Sequence, residues 1–351
     1  MNAITSYLPV YDECFSRGLK PNAILEKLQQ AKLGPDFKII APKPAAPSLG
    51  WLASPILFFL YPAQSGFAKR CFGKLHPSHL DKIRKMDQLK VENQGTHYVR
   101  EVAIEKNGVC YRGLIMGRKD CIANGKWILQ AMGRDCPIER AARKCRSVYS
   151  EAGFNVLMIN GPSIGRSQGV ATPRTLGEAQ EAGLCFLESA LKAKQIAIAG
   201  HSMGGAVIGQ AILQHQFKDS VKYLVIRQSA FDRVSNAVND YVPCFKDVAK
   251  EMILANALEM DNIAVSKKLQ RLGIHEIIIQ TGNREIEPGT IPQLEDFASD
   301  GVIGAKSSLG YRLVKEGIIR HKTFVCIPGL NHFESDKYLK ATSGLFKKFL
   351  K

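Results

Sequence analysis

The sequence has nine cysteines but no C-x-x-C pair: Cys14, Cys71, Cys110, Cys121, Cys136, Cys145, Cys185, Cys244 and Cys326 are scattered and odd in number. That spacing excludes a zinc-ribbon type of site and a disulfide framework, and it fits reduced thiols in a cytosol-like compartment. No metal and no cofactor is expected. The opening residues, MNAITSYLPVYDECF, show neither a basic n-region nor an apolar h-region, so no cleaved signal peptide is expected. Internal repeats and low-complexity tracts are missing. So is any basic tract interleaved with aromatics or any RNP-like stretch, which excludes nucleic acid as the expected partner. Acidic side chains are in short supply, 32 Asp and Glu against 48 Lys and Arg, leaving a net charge of +16. Such an excess favours contact with something anionic, and without a nucleic-acid motif it points to a phospholipid surface.

No apolar run reaches the roughly 20 residues that a spanning helix needs. The longest candidate, Leu49 to Tyr61, reads LGWLASPILFFLY and carries Pro55 in its middle. It reads first as a buried strand or an arm lying on the main domain, and second as an interfacial anchor. Trp51, Phe58, Phe59 and Tyr61 suit a membrane boundary, and Lys69, Arg70 and Lys74 follow closely. A cytoplasmic protein is the resulting expectation, with a peripheral-membrane surface as the second reading and export without a cleaved signal peptide left open.

The 351 residues, 45% of them apolar, are enough for one large α/β domain with an extension. Residues 1–90 have the character of a mostly helical extension: Asn22 to Leu33 is a short helix stopped by Gly34 and Pro35. A second helix starts at Ser78 and Asp81. From about residue 91 the texture changes. Tyr98 to Glu105 and Val109 to Met116 are strand-like around Asn107-Gly108, a hairpin turn. Apolar runs at Trp127 to Met132, Asn155 to Ile159, Gln195 to Ala199, Tyr223 to Ile226, Glu276 to Gln280 and Thr323 to Ile327 alternate with helical patterns. Such alternation implies a mainly parallel sheet covered by helices on both faces, with the hairpin as an antiparallel edge. The stretch 233–270 has room for a small helical cap, whose Val242, Phe245, Met252 and Ile253 could line an acyl pocket.

Between the strand at Gln195 and the next helix lies QIAIAGHSMGGAVIGQ, in which Gly200-His201-Ser202-Met203-Gly204 satisfies G-x-S-x-G. A nucleophile in a strained strand-to-helix turn requires glycine two residues before and after it, and Gly200 and Gly204 meet that requirement. The turn lifts the Ser202 hydroxyl to the positive end of the helix, and the Met203 N–H faces the place where an oxyanion would form. Gly161 to Ser167 falls one residue short of a P-loop and has Arg166 for the lysine.

A serine hydroxyl needs a base, and the base needs an orienting acid; here the chain order is Ser, acid, His. His332, in the loop PGLNHF after the last strand, is the expected base, ahead of His215, His275 and His321. For the acid, Glu285 lies three residues beyond Gly282 at the end of a strand. Glu287, Glu295 and Asp296 follow it, and Asp232 after the preceding strand is the other choice. Glu285 is preferred, with Asp232 and Asp296 as alternatives.

These motifs resemble the α/β-hydrolase superfamily from about Tyr98 onward, including EAGFNVLMINGPSIGRSQG ahead of the elbow. In that superfamily the loop after Trp127 to Met132 usually carries His-Gly, and the next N–H completes the oxyanion hole. Here it is Met132-Gly133-Arg134, so the resemblance implies Arg134 as a second donor without the histidine. More narrowly, the long extension with LGWLASPILFFLY and GRDCPIE resembles the chlamydial CHLPS group of hydrolase-like proteins. The superfamily resemblance implies a serine hydrolase acting on an ester or thioester; the apolar arm and the basic charge suggest a lipid or acyl substrate, and no substrate follows from the narrower resemblance. The departures in the oxyanion loop and acid leave a second reading open, a binding or host-directed protein on a hydrolase scaffold.

Overall fold

The computed structural model describes residues 5–9, 95–133, 136–169, 171–241, 253–254 and 258–349. The apolar segment 49–61, the helices expected near Asn22 and Ser78, Arg134, and the cap positions Val242, Phe245 and Met252 lie outside the described residues. The chain divides into two compact units. The first holds residues up to 129 with 135–196 and 216–221; the second holds 130–134, 197–215 and 222–351.

In the first unit, β2 (His97–Lys106) and β3 (Val109–Arg118) form the expected hairpin. Asn107 and Gly108 both have positive φ, 53° and 75°, the conformation that a two-residue turn demands. The hairpin is not the outermost pair. β1 (Thr5–Pro9) adds antiparallel to β2, so at least these residues of the extension are strand rather than helix. β4 is Lys126–Ala131, and β5 (Asn155–Ile159) pairs antiparallel with β3, giving the order β1-β2-β3-β5-β4. α1 (Ile138–Glu151) buries Cys145 and Tyr149, and α2 (Pro173–Ser189) starts from a Thr172–Thr175 capping box. Tyr98 takes its hydroxyl into the interior because Asn155 Oδ1 accepts from it at 2.6 Å.

The second unit takes β6 (Gln195–His201) from residue 197 on, and β7 (Lys222–Gln228), β8 (His275–Gly282) and β9 (Lys322–Pro328) follow it in chain order. The β7–β8 and β8–β9 pairs are parallel. Their centres are nearly continuous apolar runs because helices cover both faces. α3 (Met203–Gln214) covers the almost wholly apolar run Ala206 to Leu213 and α7 (Ser335–Phe349) the amphipathic run from Tyr338, whereas α6 (Leu309–Lys315) is too short to stand out. The stretch expected as a cap contributes α4 (Val234–Tyr241) and α5 (Asn262–Arg271), the latter capped by Asp261, whose carboxylate accepts from Ile263 and Ala264 N–H.

A wholly buried ionic group ties this unit together. The β8–β9 register sets Glu276 opposite Lys322, with Nζ 2.8 Å from Oε2, and Arg227 Nε on β7 lies 3.5 Å from Oε1. Ser266 of α5 donates to Oε1 at 3.0 Å. One carboxylate thus stands between two cations whose side chains have no solvent exposure.

Candidate active site

β6 ends at His201 and α3 starts at Met203, leaving Ser202 alone in the turn with φ 53° and ψ −123°. A non-glycine residue rarely adopts such a backbone; the cost is of order 1–3 kcal/mol and is tolerated only where surroundings enforce it. Those surroundings are the flanking glycines. A Cβ on Gly200 would sit 2.5 Å from the Gly204 carbonyl oxygen, and one on Gly204 would sit 2.5 Å from the Ala131 oxygen. Gly205 has its nearest neighbour at 3.1 Å, the Ala230 methyl, so it marks the close approach of α3 to the sheet. The Ser202 N–H donates to the Gln228 carbonyl at 2.8 Å and anchors the turn to β7.

The Ser202 hydroxyl oxygen is 2.8 Å from His332 Nε2. His332 lies in the loop between β9 and α7, as expected, and it is 5% exposed. Its other nitrogen, Nδ1, is 2.8 Å from a carboxylate oxygen of Asp300. The acid at the histidine is therefore Asp300, which corrects the expectation of Glu285. Glu285 is exposed on the loop beyond Gly282, and the chain continues past it before turning back. Phe297 bridges antiparallel to Gly282, and Ala298 N–H donates to the Thr281 carbonyl at 3.1 Å. The returning segment delivers Asp300 to the strand end that sequence spacing assigned to Glu285.

The two alternatives are occupied elsewhere. Asp296 accepts from the Arg284 guanidinium and from Gln293 N–H, and the Arg284 hydrogen bond holds its carboxyl below the usual value. Asp232 is buried, accepts from Asn236 at 2.8 Å and Arg233 N–H at 2.7 Å, and lies 3.2 Å from Arg312 Nε. Burial pushes its carboxyl up to about 6. Both carboxylates hold loops in place.

Asp300 is tied to His332 twice, because its backbone carbonyl also accepts from His332 N–H at 3.0 Å. Its Oδ1 accepts from Val302 and Ile303 N–H at 3.0 and 2.8 Å, a turn typical of Asp before Gly301. Burial alone would raise this carboxyl. Hydrogen bonds from His332, Ser229 and Ile303, with the imidazole's charge, outweigh it and hold the group below its ordinary value. Ser229, unsuspected in the sequence, donates to Asp300 Oδ2.

Two further features frame the base. His201, inside the motif, has ring centroids 5.2 Å from both His332 and Tyr338, tilted against the first and edge-on to the second. Phe333 meets the His332 ring edge-on at 5.5 Å and is 79% exposed. Met203 opens α3, so its N–H has no acceptor within the helix. Gly133 packs so closely that a Cβ on it would lie 3.4 Å from Ser202 Cβ, which puts the β4 loop beside the nucleophile; Arg134 itself is outside the described residues.

The model of the family described as Chlamydia CHLPS protein (DUF818) matches residues 47–335. An α/β-hydrolase from Vibrio vulnificus superposes with a TM-score of 0.59 at 15% identity, over 89% of this chain and 98% of that one. The esterase Pf2001 of Pyrococcus furiosus superposes with a TM-score of 0.51 at 12% identity, over 74% and 94%. No curated protein sequence matches. The fold is that of the α/β-hydrolases, a mainly parallel sheet with helices on both faces. Among the described residues no helix is long and apolar enough to cross a membrane.

Proposed function

The chain belongs to the Chlamydia CHLPS family, and from that premise we propose that it is a serine hydrolase cleaving an ester or thioester with an apolar acyl or alkyl part. The observation that carries the proposal is the continuous chain from Ser202 Oγ through His332 to Asp300, both links at 2.8 Å, built on a strained turn. His332 takes the Ser202 proton as the oxygen attacks the carbonyl carbon, and Asp300 holds the imidazole and stabilises the imidazolium. The tetrahedral oxyanion is met by the Met203 N–H at the α3 N-terminus and by a second donor from the loop beyond Gly133, for which Arg134 is the assigned residue. His332 returns the proton to the departing alcohol or thiol, leaving the acyl group on Ser202. Water then attacks, giving its proton to His332, and the acid product leaves as Ser202 regains its hydrogen. The exposed Phe333 ring beside His332 supports an apolar group at the leaving side or acyl side. The basic surface supports approach to an anionic lipid surface.

A labelled fluorophosphonate tests the reading. Wild-type protein should be modified on Ser202 and S202A should not. Absence of labelling while a control hydrolase reacts would reject the enzyme and favour the scaffold as a binding protein.

A further inference from the structure

Ser229 occupies a position that a sequence motif does not explain. It is the first residue after β7, is 1% exposed, and has φ 47°, a left-handed backbone that a glycine would adopt without strain. A residue with a Cβ at such a place costs of order 1–2 kcal/mol. Its side chain touches the site at two atoms. The hydroxyl donates to Asp300 Oδ2, and its oxygen is 3.1 Å from His332 Nδ1. Asp300 Oδ1 is already taken by the Val302 and Ile303 N–H groups. An ionised carboxylate accepts and cannot donate, so Oδ2 is shared between the imidazole N–H and the serine O–H.

We propose, on the basis of the serine-hydrolase reading, that Ser229 is a positioning residue. Its hydroxyl fixes the Asp300 carboxylate against His332 and divides that carboxylate's charge with the imidazole. The groups facing His332 are Ser202 and His201 from the β6 turn, Asp300 from the loop after β8, Ser229 from the end of β7 and its chain neighbour Phe333, while Tyr338 from α7 meets His201. Of these, Asp300 is the anion, and Ser229 is the neutral donor that bears on it. Without the hydroxyl, Oδ2 keeps the imidazole as its one side-chain partner among these contacts. The carboxylate also loses one of its four donors and its fixed direction, which slows the chemical step.

Two variants separate the hydroxyl from the backbone. S229A removes the hydroxyl and keeps a Cβ at positive φ; S229G removes both. The rate of fluorophosphonate modification is measured alongside the low-field proton resonance of His332 Nδ1–H, which needs no turnover. Both variants should react about tenfold more slowly, as loss of a hydrogen bond to a charged group implies. Both should show a shifted His332 resonance, and with a p-nitrophenyl ester kcat should fall while KM holds. Recovery of the wild-type rate in S229G alone would assign the effect to backbone strain and overturn the proposal. A loss of thermal stability with an unmoved resonance would overturn it as well. If wild-type protein does not react, the hydrolase reading fails separately, and the resonance decides: movement in both variants upholds the role of Ser229, and a fixed resonance rejects it.

Discussion

Gly282, the last residue of β8, is bridged antiparallel to Phe297, so the chain that leaves the strand end comes back to it. The intervening loop carries Glu285 outward into solvent and brings Asp300 inward to His332. This return decides which carboxylate faces the base.

D300N should therefore abolish most of the reaction with a fluorophosphonate, by about 10⁴-fold if the neutral amide leaves the imidazole in the wrong tautomer. E285Q and D296N should stay near wild type. Rates of probe modification for the three variants check this, and a large loss in E285Q with a small one in D300N would reject the assignment.

The elbow glycines differ in what surrounds them. In G204A the new methyl meets the Ala131 and Met132 carbonyl oxygens, which are backbone and cannot yield cheaply. A loss of about 3 kcal/mol or more of unfolding free energy, together with lost labelling, is expected. G205A meets only a methyl at 3.1 Å and should lose less. Urea unfolding of the two variants provides the comparison.

His201 gives a pH signature. Burial, and then the charge of His332, lower its imidazole to about 4. The folded value lies below the unfolded value near 6.5, so the unfolded chain binds the proton more readily between these limits. Stability should fall as pH drops from about 6.5 to 4, by up to about 3 kcal/mol from this group. The difference in unfolding free energy between wild type and H201Q should narrow or change sign across that window. A constant difference from pH 7 to pH 4 would show that His201 does not titrate this way.

Glu276 separates two buried cations, Lys322 and Arg227. E276Q keeps the shape and removes the only anion of that group. A loss of about 3–5 kcal/mol is expected, because each cation then lacks its counter-charge in the interior. A loss under about 1 kcal/mol in urea titrations would mean that the cations find other compensation.

Phe333 should matter for apolar substrates and little for small ones. F333A should lower kcat/KM for p-nitrophenyl octanoate by about tenfold, the scale of a partly buried aromatic contact. The acetate ester should be nearly unaffected. Equal losses on both esters would place the effect on His332 rather than on substrate.

The positions of β6, Ser202 and α3 were legible because an elbow is local. A strand period, a helix period and two glycines at fixed offsets suffice, and the steric contacts of Gly200 and Gly204 are with atoms that any such turn brings near. His332 was legible for a similar reason, as the histidine in a glycine-containing loop between the last strand and the last helix. The hairpin at Asn107-Gly108 was fixed by turn chemistry alone. Asp300 was not legible. Its one local mark is the turn of Ser299-Asp300-Gly301, and Asp-Gly turns are common. Only the bridge between Gly282 and Phe297 gives it a role, and that bridge depends on how the loop packs across the strand end. Ser229 has no sequence mark at all, since a serine after an apolar strand is ordinary until a carboxylate and an imidazole arrive from residues 300 and 332. What neighbouring residues impose on each other through sterics and hydrogen bonding was present in the sequence: the Ser202 turn and the alternation of strand and helix. Which distant side chains line up with Ser202 was decided by the tertiary structure, because that depends on where separate strand ends and loops converge.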